Sequence, residues 1–133
     1  MVRPTELNGI CGTWIHGVSG CGKTTSAYRA YPNAFLKPLS KWWDGYQGEE
    51  VVIIEDMDIY HRDLTYYFKI WPDFLPFVAE VKTAAIYIRP KKIIVTSQYS
   101  IAEIWGEDEK SFVAINRRFT SIEKIHGQDI ILL

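Results

Sequence analysis

Cysteine is scarce in this chain, with only Cys11 and Cys21 among 133 residues. Two cysteines exclude a disulfide-rich secreted scaffold and a four-cysteine metal site, and fit a reduced intracellular protein. Histidine is equally sparse. His16, His61 and His126 lie far apart, so no metal-type Cys/His spacing is present. No apolar run approaches the roughly 20 residues of a membrane-spanning helix. The N-terminus lacks the basic-then-apolar layout of a secretory signal. A soluble protein with no membrane partner is expected. Charge of neither sign dominates: 16 acidic residues face 15 basic ones, a net charge of −1. Bulk charge therefore does not advertise nucleic acid, and a basic surface would have to be local. Internal repeats and low-complexity tracts are absent as well. What remains is one ordinary domain over residues 1–133, long enough for a core, with residues 1–11 as a lead-in. It is rich in aromatics, with five tryptophans and eight tyrosines.

The most informative stretch is Gly17-Val18-Ser19-Gly20-Cys21-Gly22-Lys23-Thr24, which reads G-x-x-x-x-G-K-T. It follows an apolar run ending at His16 and precedes Thr25-Ser26-Ala27-Tyr28, a helix-like run. Strand, glycine-rich loop and helix form the context a phosphate-binding loop requires. Glycines let successive N–H groups point at phosphate oxygens, and a helix N-terminus adds positive dipole there. Gly17, Ser19, Gly20, Cys21, Gly22, Lys23, Thr24 and Thr25 are thus the candidate nucleotide-binding residues. Lys23 would neutralise the β/γ-phosphates and Thr24 would hold Mg²⁺. A glycine-rich turn with a chance lysine would not explain both flanks together.

Elsewhere the pattern alternates strand and helix. Strands are expected at Gly12–His16, 33–36, 51–54 and 93–95, with helices at 22–31, 62–70, 101–105 and 109–118. Phe77 to Ile88 reads as a hairpin, and the tail reads as short strands at 121–125 and 130–133. The expected fold class is α/β: a P-loop NTPase core of AAA+ type, a parallel sheet flanked by helices, with an inserted β-hairpin.

Val51-Val52-Ile53-Ile54-Glu55-Asp56 places two carboxylates at the end of a buried strand. In open α/β sheets that end faces the ligand. One carboxylate can serve the Mg²⁺ water shell and the other the attacking water. Glu55 is assigned the metal and Asp56 the water, with the two roles exchangeable. Asp58 reads as a helix cap. The strand ending Thr96-Ser97-Gln98 offers an amide for the γ-phosphate, provided this strand lies between the other two.

With these motifs in order, the chain resembles the helicase domain of replication initiator proteins (Rep) of circovirus-like, circular single-stranded DNA viruses. These are superfamily 3 helicases of the AAA+ class. The resemblance rests on Gly17–Thr24, on Lys41-Trp42-Trp43-Asp44-Gly45-Tyr46, on Glu80-Val81-Lys82 leading to Pro90–Ser97, and on Asn116-Arg117-Arg118-Phe119. It covers residues 12–126. It implies an ATP hydrolase that forms a hexameric ring in the full-length protein. Such a ring moves on single-stranded DNA and unwinds duplex DNA during rolling-circle replication in the host nucleus. Arg118, with Arg117 as second choice, is implied as the arginine that reaches a neighbour's γ-phosphate, and Lys82 as the DNA contact. Without the family pattern, the arginine pair reads as cations decorating a helix C-terminus.

The chain departs from that pattern in three places. Gln98 stands where the family has Asn. Thr83-Ala84-Ala85 replaces paired glycines after the hairpin lysine, so a longer or differently shaped turn is expected. A nicking domain's His-apolar-His motif is absent. Two other readings stand beside the helicase: a P-loop kinase of nucleotides or metabolites, and a slow nucleotide-binding assembly module. Trp42 and Trp43 are expected to pack beneath their loop rather than stack on bases.

Overall fold

The computed structural model of the chain describes residues 3–132. Five strands form one sheet: β1 (Gly12–His16), β2 (Phe35–Leu36), β3 (Val51–Met57), β6 (Lys92–Ser97) and β7 (Phe119–Glu123). Their order is β2-β3-β6-β1-β7, and every pairing is parallel. β4 (Phe77–Val81) and β5 (Ala84–Ile88) pair antiparallel as a separate hairpin. The helices are α1 (Lys23–Ala30), α2 (Thr65–Phe68), α3 (Ile101–Trp105) and α4 (Glu109–Asn116). The expected α/β architecture with its inserted hairpin is therefore the one observed.

Alternation along the strands divides the core in two. Trp14, Val52, Ile54, Ile93 and Val95 point to the larger cluster, with Leu64, Phe68, Ile104, Trp105 and Ile115. Ile15, Ile53 and Ile94 point the other way, against Ala27 of α1. Each of these fully buried aliphatics contributes roughly 1.5–3 kcal/mol. Trp14 is wholly buried at the centre, edge-on to Phe68, Trp105 and Phe119, and its indole N–H donates to Tyr99 O at 2.9 Å. That bond satisfies the polar end of an otherwise apolar side chain.

Two sequence expectations change. The helix expected at 62–70 is a short α2 preceded by a 3₁₀ segment, Ile59–Leu64, with non-helical backbone at His61. Thr65-Tyr66-Tyr67-Phe68 is β-branched and aromatic, a composition with little intrinsic helix propensity. Asp58 caps the segment as expected, accepting from the Tyr60 N–H. In the tail, β7 starts two residues earlier than expected and ends at Glu123. Residues 130–132 form no strand; Ile130 and Leu132 instead pack on the α1 side of the sheet. Residue 133 lies outside the described residues.

The β2–β3 connection carries the tryptophan motif and is built around Lys37, which is 3% exposed. Its ammonium donates to the carbonyls of Pro38, Ser40 and Trp42. It also lies 4.4 Å from the Trp71 ring centroid and 5.1 Å from that of Trp43. Burial pushes its pKa down from 10.5 to about 7, against the acceptors and rings that favour the charged form. Trp43 is fully buried against Phe35, Tyr46, Trp71 and Phe77 and so packs as expected, whereas Trp42 is only half-buried, with the Lys41 ammonium 4.6 Å from its ring centroid.

Candidate nucleotide site

β1 delivers the chain to the phosphate loop at the C-terminal end of the sheet. The loop then enters α1 through Gly22, whose φ of 96° is left-handed and suits glycine. The start of α1 has no side-chain cap and no acidic residue in its first turn. Its free N–H groups and its dipole are therefore available to an anion. At Gly17 a side chain would run into the Lys124 carbonyl, which packs directly behind the loop. A cavity of about 230 Å³ is lined by Ser19, Gly20, Gly22, Lys23, Thr24, Thr25 and Asp56. The loop and one of the two carboxylates thus share a single hollow.

Lys23 is 6% exposed and folds back on its own loop. Its ammonium donates to Gly17 O and Val18 O, both at 2.8 Å, and lies 3.8 Å from Cys21 Sγ. These carbonyls occupy the donors that a phosphate would engage.

Asp56 reaches the hollow through an irregularity in β3. The pairing of β3 with β6 slips between Ile54 and Met57, and Asp56 has φ 60°. It is the one left-handed non-glycine among the described residues. Aspartate tolerates this region better than most side chains, and such strain concentrates at functional sites. The bulge is secured by Thr96, fully buried at the end of β6. Its hydroxyl accepts from the Asp56 N–H at 3.2 Å and lies 3.3 Å from the Thr24 hydroxyl. Thr24, Thr96 and Asp56 therefore form one hydrogen-bonded chain linking the loop to the acidic strand. Hydroxyl and carboxylate oxygens are the donor set a hard divalent cation such as Mg²⁺ takes. A glycine-lined hollow at an uncapped helix start suits phosphate.

Residues 13–103 match the RNA helicase family. The chain belongs to this family. It is 33% identical over 109 residues to the replication-associated protein of beak and feather disease virus, covering 81% of this chain and 36% of that protein. Against the replication-associated protein of porcine circovirus 2 the identity is 34% over 118 residues, 81% of this chain and 35% of the relative. Against that of pigeon circovirus it is 36% over 114 residues, 78% and 32% respectively. The chain spans about a third of the length of these relatives. No helix among the described residues is long and apolar enough to cross a membrane.

In this helicase-family chain, the other residues singled out from the sequence fall as follows. β6 lies between β3 and β1, the condition set for Gln98, and Gln98 is exposed just past the end of β6. Glu55 is exposed on β3 and does not line the hollow. Lys82 is exposed in the hairpin turn. That turn comprises two residues, Lys82 and Thr83, closed by the pair Val81 and Ala84. It is no longer than a minimal hairpin loop and lies one residue earlier than Thr83-Ala84-Ala85. Arg118 is held inside its own chain. Its Nε donates to Asp73 Oδ2 at 2.9 Å, its Nη1 donates to Ala114 O, and its side chain is 12% exposed. Arg117 is the exposed member of the pair.

Thr96 is the residue of this hollow's hydrogen-bonded chain that sequence reasoning passed over. It stands in the same polar strand end as Gln98, and a hydroxyl side chain directly after the apolar run Ile93-Ile94-Val95 is the signal the sequence offers.

Proposed function

We propose that this chain is the ATP-hydrolysing helicase domain of a viral replication initiator, acting on DNA. The observation that carries the reading is the Thr24–Thr96–Asp56 chain, which joins a phosphate loop to an acidic strand end around one hollow. Likeness to replication-associated proteins supports the viral role.

In this reading the α1 N-terminus and the loop N–H groups bind the phosphates of ATP. Lys23 releases the Gly17 and Val18 carbonyls and turns to the β/γ-phosphates. Thr24 and Asp56 would hold Mg²⁺, which offsets charge on the phosphate oxygens when bound. Glu55, one residue earlier and exposed, orients and deprotonates the attacking water, the exchanged form of the pair's two roles. Gln98 donates its amide toward the γ-phosphate. An arginine from a neighbouring copy completes the site in a hexameric ring. Arg117 is the exposed candidate, because Arg118 would first have to leave Asp73. The β4–β5 hairpin carries Lys82 to the backbone of single-stranded DNA, a contact that reads charge and not sequence. Duplex unwinding and action in the host nucleus belong to the same proposal.

ATP turnover with and without single-stranded DNA or RNA of equal length tests this reading. Stimulation by DNA over RNA, abolished in Lys23→Ala, is expected. Stimulation by RNA alone would move the substrate to RNA. Turnover surviving Lys23→Ala would remove the site.

A further inference from the structure

We propose that Asp44, in the tryptophan motif, is a positioning residue that fixes the tip of the β4–β5 hairpin and thereby the place of Lys82. The functional half rests on the DNA reading of the hairpin given above.

The hairpin's own turn is poorly specified. Two-residue hairpin loops favour turns with left-handed residues, because their twist matches that of the strands. Lys82 and Thr83 are not left-handed, since Asp56 alone holds that conformation among the described non-glycine residues. Neither is the glycine or asparagine such a loop prefers. The turn therefore needs an outside constraint, and Asp44 supplies one from 38 residues away in sequence. Its carboxylate accepts the Lys82 backbone N–H, with Oδ1 at 3.2 Å and Oδ2 at 3.5 Å.

Asp44 is itself firmly rooted. Trp42 bridges Glu80 in parallel fashion, and the Trp43 N–H donates to Glu80 O at 2.9 Å. The tryptophan loop thus pairs with the hairpin at a single bridge. The fully buried Trp43 ring anchors it from below. Directly after Asp44, Gly45 at φ 89° reverses the chain, and the Tyr46 N–H bonds back to Trp43 O. On the hairpin side, the Glu80 carboxylate takes hydrogen bonds from Tyr67 at 2.9 Å and Lys41 at 3.3 Å. Loop and hairpin therefore hold each other at Glu80, and each also has an anchor outside the pair, buried Trp43 for the loop and Tyr67 for the hairpin. The Lys37 N–H also donates to Ile53 O at 2.9 Å, tying the same loop to the strand that carries the acidic pair.

The device leaves the Lys82 side chain exposed while its backbone is pinned. A flexible ammonium on a fixed root loses less freedom on meeting a phosphate than one on a wandering loop, which is the advantage of preorganisation. Asp44 acts as an acceptor of a backbone N–H, so asparagine, which keeps one acceptor oxygen, should replace it.

Amide hydrogen exchange and binding of a labelled oligothymidylate at fixed low salt test the proposal. In Asp44→Ala, exchange at Lys82 should speed roughly tenfold while β6 amides stay protected. DNA affinity should fall several-fold, in the direction of Lys82→Ala, and Asp44→Asn should recover most of both. If Asp44→Ala binds DNA as wild type does while Lys82→Ala is weakened, or if its Lys82 amide exchanges unchanged, the proposal is overturned and the DNA reading stands. If Asp44→Asn is as impaired as Asp44→Ala, acceptor positioning is overturned in favour of a charge effect. Equal affinity of wild type and Lys82→Ala overturns the DNA reading of the hairpin, and the functional half of the proposal with it.

Discussion

The Asp56 backbone N–H donates to the Thr96 hydroxyl at 3.2 Å, across a break in the β3–β6 register. That one bond satisfies the amide exposed by the bulge and holds Asp56 over the phosphate loop. A strand that ran on without the irregularity would alternate its side chains regularly and aim this carboxylate differently.

Thr96→Val should therefore cost more than its volume suggests. The substitution keeps the shape but removes the acceptor of the part-buried Asp56 N–H, a loss of about 1 kcal/mol. Urea unfolding measures that loss. Turnover should fall at the same time, because Asp56 is released, while Thr96→Ser should retain most of both. Equal stability of the valine variant and the wild type would contradict the account.

Arg118 and Arg117 should separate cleanly. Arg118→Ala removes a largely buried partner from Asp73 and should destabilise by about 1.5–3 kcal/mol. Arg117→Ala, on the exposed side, should stay within about 0.5 kcal/mol of wild type. In mixtures with Lys23→Ala subunits, Arg117→Ala should regain some turnover, as expected for an arginine acting across an interface. Recovery confined to Arg118→Ala would return the finger to Arg118.

Lys37 makes a pH prediction. Its folded pKa is lowered by burial to about 7, against 10.5 unfolded. Between those values the unfolded chain holds the extra proton, so unfolding free energy rises with pH. Stability of wild type relative to Lys37→Met should climb from pH 7 toward 10.5, by up to about 1.4 kcal/mol per unit. A flat difference would mean that the three carbonyls and two rings hold the charge against burial.

The hairpin anchor at Glu80 has an opposite limit. The Tyr67 hydroxyl, and then Lys41, hold the Glu80 carboxylate below its ordinary 4.5. A depressed folded value gives a contribution present above 4.5 and lost as pH falls through the folded pKa. The same hydrogen bond raises Tyr67 above 10.0, so that side of the contact is intact below 10.0 and lost in stronger base. Protection of the Trp43 amide, its exchange relative to the intrinsic rate at each pH, reports the loop–hairpin pairing and should fall at both extremes. In Glu80→Gln it should lose its acid dependence.

Local patterns were readable in the sequence and long-range ones were not. β1 falls on Gly12–His16 as expected, because an apolar run bounded by a glycine-rich loop leaves little choice. The phosphate loop, the acidic strand end and the hairpin followed from local motifs, whereas the place of β6 between β3 and β1 was a condition that the sheet order supplies. The helix expected at 62–70 depended on tertiary packing of aromatics with weak propensity, and it shortened. Thr96 and Thr24 are 72 residues apart, and Arg118 and Asp73 are 45 apart. No local pattern announces such pairs, so the bond that aims Asp56 and the one that occupies Arg118 appear only in the fold.

The central claim is that Gly17–Thr24 and Asp56 form one nucleotide triphosphate site. The most direct measurement is binding of a fluorescent ATP analogue to the chain, with Mg²⁺ and with chelator, for wild type, Lys23→Ala and Asp56→Asn. The account predicts Mg²⁺-dependent binding by wild type, loss of affinity in Lys23→Ala, and loss of the Mg²⁺ dependence in Asp56→Asn. Binding by Lys23→Ala equal to wild type, with the same Mg²⁺ dependence, would contradict it.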